Sequence, residues 1–278
     1  MTGFSADWLS LREPADERAR AREIRDAAVR SVAGKAAPRI VDLACGTGST
    51  LRALAPSIGS AQRWRLVDND PALLERARSE CGGRAGIEEL ETIAADLADD
   101  PGAVIADADL VTTSAFLDLV SEDWAARLVA TLANRGLPFY AALSYDGRVS
   151  CEPAHPLDDR ITERVNRHQR GDKGFGPALG PDAAQKIVEL LERADFSVMQ
   201  ARSDWTCRTS EPIFQSELIG GWALAAGETG GISADDLADW KAFRLAAVAA
   251  GRSCIRVGHV DVFARPQADV PTAVHGSV

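Results

Sequence analysis

The run Ile40-Val41-Asp42-Leu43-Ala44-Cys45-Gly46-Thr47-Gly48-Ser49-Thr50 constrains this chain more than any other stretch. Ile40, Val41 and Leu43 read as the end of a buried strand. Two glycines separated by one residue permit a tight turn and close backbone approach. Ser49 and Thr50 are candidate caps for a helix that follows. Strand, glycine turn and helix start, in that order, make a nucleotide-type site at the carboxyl end of a parallel sheet. The third glycine of a dinucleotide fingerprint is absent, because Leu51 stands there, and no Gly-Lys-Ser/Thr follows to make a P-loop. Asp42 at the strand tip would repel a pyrophosphate and suits a ligand carrying an ammonium or a sulfonium.

The stretches that follow alternate. Arg63 to Asp68 reads as a second strand ending in an acid. Asp70 and Pro71 then supply the N-cap and first position of a helix that runs to about Cys81. Asp68 lies 20 residues beyond Gly48, the separation at which a carboxylate can accept from both hydroxyls of a ribose. Ile87 to Ile93 is a third strand and leads to Asp96-Leu97, which also reads as a turn start. Asp107 to Thr112 is a fourth strand, and Asp118 follows it. Ser121 caps a helix that runs to Asn134, with Gly136 at its C′ position. Pro138 to Leu143 is a fifth strand. This order implies an α/β protein with a doubly wound, mostly parallel sheet.

Asp42, Ala44, Gly46 and Gly48 resemble motif I of the class I S-adenosylmethionine-dependent methyltransferases, with alanine in place of the motif's first glycine. The resemblance covers residues 38–265. It implies a Rossmann-like sheet of seven strands in the order 3-2-1-4-5-7-6, and S-adenosylmethionine as cofactor. It further implies cofactor contacts from Asp42, Ala44, Cys45, Gly46 and Gly48 in the loop, Asp68 and Asn69 at the ribose, Asp96 and Leu97 at the adenine, and Ser114 near the methyl group, where Phe116 is a second candidate. The Asn/Asp-Pro-Pro-Tyr run of some base and glutamine methyltransferases is absent after the fourth strand, and so is a Pro-Cys nucleophile.

Ahead of the first strand, Ala15 to Val32 reads as one helix after Pro14. The expected organisation is an N-terminal helical lid over residues 1–37, with Trp8 and Arg12 as candidates for the methionine carboxylate. A methyltransferase domain spans 38–265, with insertions at 144–180 and 211–251, and a tail spans 266–278. The first insertion is longer than an ordinary strand-to-helix connection. Leu157, Ile161 and Val165 make an amphipathic helix there. Its basic residues point either to a salt-bridged helix face or to an anionic acceptor. Asp118, Tyr145, His155 and His168 are the catalytic candidates, the histidines because imidazole titrates near neutral pH. Phe196 to Trp205 and Ser253 to Ala264 read as the last two strands.

Net charge is −10, a poor match for nucleic acid, whose phosphates supply most binding affinity. No apolar run is long enough to span a membrane. Five scattered cysteines without a Cys-x-x-Cys pair favour a reducing cytoplasm and no metal site. The function the resemblance implies is methyl transfer to a small-molecule acceptor. A non-catalytic cofactor-binding module and a nicotinamide-dependent oxidoreductase are the alternatives, and the oligomeric state is open.

Overall fold

The computed structural model describes residues 5–59 and 61–267. Two helices, α1 (Ala6–Ala19) and α2 (Arg22–Ser31), precede β1 (Arg39–Leu43). Then come α3 (Ser49–Leu54), β2 (Gln62–Asp68), α4 (Pro71–Cys81), β3 (Ile87–Ala94), β4 (Leu110–Ser114), α5 (Glu122–Arg135) and β5 (Phe139–Glu152). The rest is α6 (Asp158–Gln169), α7 (Ala183–Arg193), β6 (Phe196–Arg202), β7 (Trp205–Cys207), α8 (Pro212–Thr229), α9 (Ala234–Ala249) and β8 (Cys254–Pro266).

The sheet runs β3-β2-β1-β4-β5-β8-β6, with β7 also paired to β8. Strands β1 to β5 are mutually parallel, and β8 is antiparallel to β5, β6 and β7. This is the expected order with one extra strand. The segment read as a single strand from Phe196 to Trp205 breaks at Ser203-Asp204, where Asp204 turns to meet Arg148 and the His259 amide. Apolar residues fill both faces. Ile24, Leu51, Trp64, Tyr140 and Phe214 lie in one core, and Val41, Trp124, Leu128, Phe139 and Ile187 in the other.

Local signals set several elements. Asp70 caps α4 by accepting from the Ala72 amide, with Pro71 in the first turn. Ser121 caps α5, and Gly136 closes it at φ +65°. At α3 the expectation fails. Gly48 occupies the cap position, Ser49 is already helical, and no side chain caps the helix.

The N-terminal helix also differs. It starts at Ala6, capped by Ser5 Oγ, and holds Pro14 inside it. Packing of Trp8, Leu11 and Ala15 into the core outweighs the proline. The break falls later, at Arg20 and Ala21, because the Ala21 amide donates to the Asp261 carboxylate (2.9 Å) instead of continuing a helix. Likewise β5 runs nine residues past the expected end, held by pairing with β8 as far as Glu152–Cys254. The first quarter of the 144–180 segment is therefore strand. One residue assigned to the tail, Pro266, belongs to β8, and residues 268–278 lie outside the described residues.

Helices α6, α8 and α9 cover the projecting end of the β5–β8 pair. Fully buried Arg244 of α9 donates to Pro153 O (2.6 Å) and to Asp158 Oδ2 of α6. Trp240 Nε1 donates to Asp158 Oδ1 (2.9 Å). Arg244→Ala should lower unfolding free energy by about 3 kcal/mol in urea denaturation, because it empties a fully buried site and leaves the half-buried Asp158 carboxylate without its cation. A loss below about 1 kcal/mol would show that the pair contributes little.

Candidate active site

Strands β1, β2, β4 and β5 deliver their carboxyl ends to one edge, and the expected loop residues meet there. Asp42 is buried. Its Oδ1 accepts from Thr112 Oγ1 (2.8 Å), and its Oδ2 has no partner among the described residues. Burial lifts its pKa to about 6, against the pull of Thr112, Arg20 and Thr50. Ala44 takes φ +52°, a left-handed conformation that explains why glycine suits this position. A Cβ on Gly48 would lie 2.7 Å from Cys81 Sγ, so that position admits only glycine. Leu9 of α1 packs straight onto the loop, 3.0 Å from where a Gly46 Cβ would be. Cys45 is buried, and burial raises its thiol pKa far above the ordinary value.

Asp68 closes the loop from β2. Its Oδ2 accepts from the Gly46 amide (2.8 Å) and its Oδ1 from the Asp70 amide (3.0 Å). Each oxygen retains lone-pair capacity. Asn69 is exposed beside it. At the end of β3, exposed Asp96 accepts from the Ala98 amide (2.9 Å), the turn role its sequence context allowed. Leu97 is buried, and its carbonyl accepts from Trp124 Nε1. Ser114 Oγ, at the tip of β4, accepts from Arg20 Nη2 (3.2 Å). Phe116, a candidate for the methyl site, instead packs edge-on against Trp124 and Phe175.

The loop and its neighbours fit S-adenosylmethionine on these grounds. A buried carboxylate oxygen lacks a donor among the described residues, Gly46 and Gly48 put no side chain on the turn, and Asp68 sits one strand away.

The catalytic candidates separate. Asp118 lies in a short turn after β4, buried, with Oδ1 unpartnered. Burial lifts its pKa to about 6, opposed by Arg12 and Lys173. Tyr145 faces the same region, but its hydroxyl donates to Asn166 Oδ1 (2.7 Å), and burial pushes its pKa up. His155 and His168 are elsewhere. His155 accepts from the Leu157 amide and lies against Phe243, and His168 pairs with Glu228 of α8 (2.8 Å).

Sequence reasoning missed three residues here. His259 sits opposite Tyr145 in register and beside the Trp205 ring (4.6 Å between centroids). A carbonyl only accepts, so His259 Nδ1 donates to Val257 O (3.1 Å) and leaves Nε2 as an acceptor. Burial and the Arg12 charge push its pKa down to about 3. Asp261 and Arg20 complete the edge. His259 and Asp261 alternate with Val257 and Phe263 on one face of β8. Because β8 is largely buried on both faces from Val257 to Ala264, the pattern gave no signal for them.

The basic residues of the 144–180 segment are mostly engaged. Arg148 pairs with Asp146 and Asp204, Arg167 with Glu163 and Arg170 with Asp182, while Arg160 donates to Gly231 O.

A family model described as a methyltransferase domain matches residues 40–136, from β1 to the end of α5. No curated protein matches the chain. Among solved structures, the chain is similar to the YcgJ protein from Bacillus subtilis at 14% identity and TM-score 0.50, covering 89% of this chain and 100% of that one. It also aligns with the cyclopropane synthase MmaA2 from Mycobacterium tuberculosis (10% identity, TM-score 0.45, 87% and 82% covered). A third is a putative sarcosine dimethylglycine methyltransferase from Galdieria sulphuraria (11% identity, TM-score 0.46, 88% and 84% covered). Residues 40–136 thus match a methyltransferase domain, and the sheet has the strand order expected of the Rossmann-like methyltransferase fold. No helix among the described residues is long and apolar enough to cross a membrane.

Two outcomes follow from this geometry. Ala44→Gly should raise unfolding free energy by up to about 1 kcal/mol by relieving the left-handed alanine. Unchanged or lower stability in urea melts would mean the loop holds no such strain. The second concerns Asp118. Its folded pKa of about 6 lies above the unfolded value near 3.9. Its protonated form therefore favours folding below about pH 4, and that contribution is lost as pH rises through 6. Asparagine cannot ionise. The stability of Asp118→Asn relative to wild type should rise by on the order of 2–3 kcal/mol between pH 4 and pH 8. A gap independent of pH would remove the buried carboxylate from this account.

Proposed function

We propose that the protein transfers the methyl group of S-adenosylmethionine to a small-molecule acceptor at the carboxyl edge of the sheet. The observation that carries this reading is where the unsatisfied groups lie. Asp42 Oδ2, Arg20 Nη1, Asp118 Oδ1 and Ser144 Oγ are buried without partners, and all belong to this edge. Buried polar atoms are normally hydrogen-bonded. A cluster of exceptions around a glycine loop is what a ligand site requires.

On this reading Asp68 holds the ribose hydroxyls with its spare lone pairs. The backbone from Ala44 to Gly48 lies against the adenosine and thioether portion. Asp96 and Leu97 border the adenine, and Ser114 borders the methionine end. The cofactor supplies an activated methyl group. The chain's own task is to hold the acceptor in line with it and exclude water. Helices α1 and α2 cover the loop and perform the second task as a lid.

Asp118 is the acceptor-side group best suited to take a proton, because its free oxygen is unpaired and its pKa lies near neutrality. Tyr145 orients through Asn166, and His155 and His168 have no part in the site. The acceptor's charge is set by Arg12, Lys173 and Asp118 rather than by the paired arginines of residues 144–180, so an anionic acceptor would have to meet Arg12 or Lys173.

Isothermal titration with S-adenosylmethionine and S-adenosylhomocysteine tests the cofactor. Binding is expected, and Asp68→Ala should weaken it by about 1–3 kcal/mol. Folded protein that gives no heat with either ligand would sink the proposal. Cofactor binding without S-adenosylhomocysteine release across broad panels of alcohols, phenols, amines and thiols would favour a non-catalytic module.

A further inference from the structure

The glycine-rich run after α6, residues 171–180, has no part in the cofactor site, yet it is firmly placed. Asp172 Oδ1 gathers it by accepting from the Gly174 (2.7 Å) and Gly176 (3.1 Å) amides. Gly174, Gly176 and Gly180 bend it at φ of +102°, +86° and +52°. Phe175 packs edge-on against Phe116 and Trp124 (5.4 and 5.8 Å between centroids). The Leu179 amide donates to Val120 O (2.8 Å), and a Cβ on Gly176 would lie 3.7 Å from Ser121 Cβ. Phe116, Val120 and Ser121 bracket Asp118, so the run is strapped across the turn that carries this acid.

Lys173 is the cation that the strap delivers. It is half-buried, and its Nζ donates to His168 O (3.3 Å). An ammonium has further protons to donate. Arg12 and Lys173 are the cations that act on Asp118. Arg12 is committed, because it pairs with Asp16 (3.3 Å) and lies over the Trp205 ring (5.9 Å). Lys173 and Asp118 make no ion pair within 4.0 Å among the described residues, and Asp118 Oδ1 has no partner. Tyr145, whose hydroxyl feels the Asp118 charge, continues through His259 to Trp205 as a row of rings, with centroids 6.1 and 4.6 Å apart. These groups discriminate among acceptor atoms. An amine arrives as an ammonium, which Lys173 and Arg12 repel. A carboxylate has no proton for Asp118 Oδ1, and a thiol donates and accepts only weakly. A hydroxyl satisfies both sides at once, donating to Asp118 while its oxygen accepts from Lys173. A neighbouring ammonium favours a hydroxyl that ionises readily, and the row of rings suits a planar acceptor.

We propose that residues 171–180 form the acceptor clasp, and that Lys173 and Asp118 together select a phenolic hydroxyl. The inference rests on the S-adenosylmethionine reading and deepens it, by naming the acceptor atom and the residue that recognises it. The hydroxyl proton passes to Asp118. The oxygen pair so freed forms the O–CH3 bond as the S–CH3 pair returns to sulfur, leaving an aryl methyl ether and S-adenosylhomocysteine. Lys173 Nζ holds the negative charge that gathers on the oxygen before the new bond is complete. The strap sets where that charge is met, since Phe175 and Leu179 fix it to the Asp118 turn on either side of the reacting pair.

The test reads S-adenosylhomocysteine release from matched acceptors: phenols of graded size, and the anilines, thiophenols and benzyl alcohols built on the same rings. Wild type should turn over phenols at least about tenfold faster than the other three classes. Lys173→Met should lower kcat on weakly acidic phenols by about 100-fold, the effect of removing one oxyanion donor, and Lys173→Arg should recover part of it. Asp118→Asn should lower it by about 100-fold or more on the same phenols. On para-nitrophenol, which reaches the site already ionised in mildly alkaline buffer, the Asp118→Asn loss should shrink to less than about fivefold. Titration with S-adenosylhomocysteine, within about twofold of wild type, shows that each variant is folded. Faster turnover of the anilines or benzyl alcohols, unchanged phenol turnover in Lys173→Met, or equal loss on both kinds of phenol in Asp118→Asn would overturn the proposal. Absence of turnover with every phenol, from protein that binds S-adenosylhomocysteine, would overturn it and leave the cofactor reading standing. Binding of neither S-adenosylmethionine nor S-adenosylhomocysteine would fell that reading itself.

Discussion

The Asp261 carboxylate is the contact on which the arrangement of this edge depends. It is buried on β8, and burial raises its pKa against the pull of its hydrogen bonds. One oxygen accepts from the Leu143 amide (2.7 Å), where β5 takes φ +55° and shifts register against β8. The other accepts from the Ala21 amide, where α1 gives way to α2. One side chain therefore fixes the irregular point of the strand and the break in the N-terminal helices. Arg20 is the residue before Ala21, and Tyr145 lies two residues past Leu143. Side chains from opposite ends of the chain are aimed at the same space because a single carboxylate binds both of their backbones.

Backbone strain gathers at the same level. Of the four non-glycine residues with positive φ among the described residues, Ala44 follows β1, Ala115 follows β4, and Leu143 lies in β5. The fourth, Asp195, joins α7 to β6. Left-handed alanine and leucine persist only where surrounding contacts over-determine them. Here those contacts are the Ala115 amide on Ala142 O and the Leu143 amide on Asp261. Unpartnered buried atoms and strained backbone thus coincide at the ends of β1 and β4 and at the irregular point within β5. Two independent signs of a ligand site fall in one place, whereas the cap built from α6, α8 and α9 has unpartnered atoms at Arg164 Nε, Gln215 Oε1 and Arg244 Nε but no non-glycine residue with positive φ among the described residues.

What the sequence disclosed was local. The glycine loop, the Asp70-Pro71 cap and the Ser121 to Gly136 helix each rest on contacts within a few residues, and each is visible in composition and spacing. Alternation implied a mostly parallel sheet, and the strand order came only with the family resemblance. The length of β5 did not, because it is set by pairing with residues more than a hundred positions later. Pro14 misled for the same reason: its helix is held by packing against Phe214 and Trp205 rather than by propensity. Arg20 looked like one arginine among several in a helical run, and nothing in that run marks which one will be buried. His259 and Asp261 fall in a strand whose two faces are both largely buried.

Burial also reverses the roles that composition suggests for proton transfer. A histidine is the ordinary choice near neutral pH, and His155 and His168 were candidates on that ground, but both lie against α8 and α9. His259 is in place, yet desolvation and the Arg12 charge leave it at about 3, too weak a base to hold a proton there. The same desolvation acts in the opposite sense on a carboxylic acid, whose charged form is the basic one. Asp118 is lifted to about 6 and keeps an oxygen without a donor. At this edge the carboxylate is therefore the stronger base by some three units, and the imidazole is a fixed neutral acceptor. On the proposed reading, an acceptor that must lose a proton would pass it to Asp118, while the neutral His259 adds no positive charge at this edge.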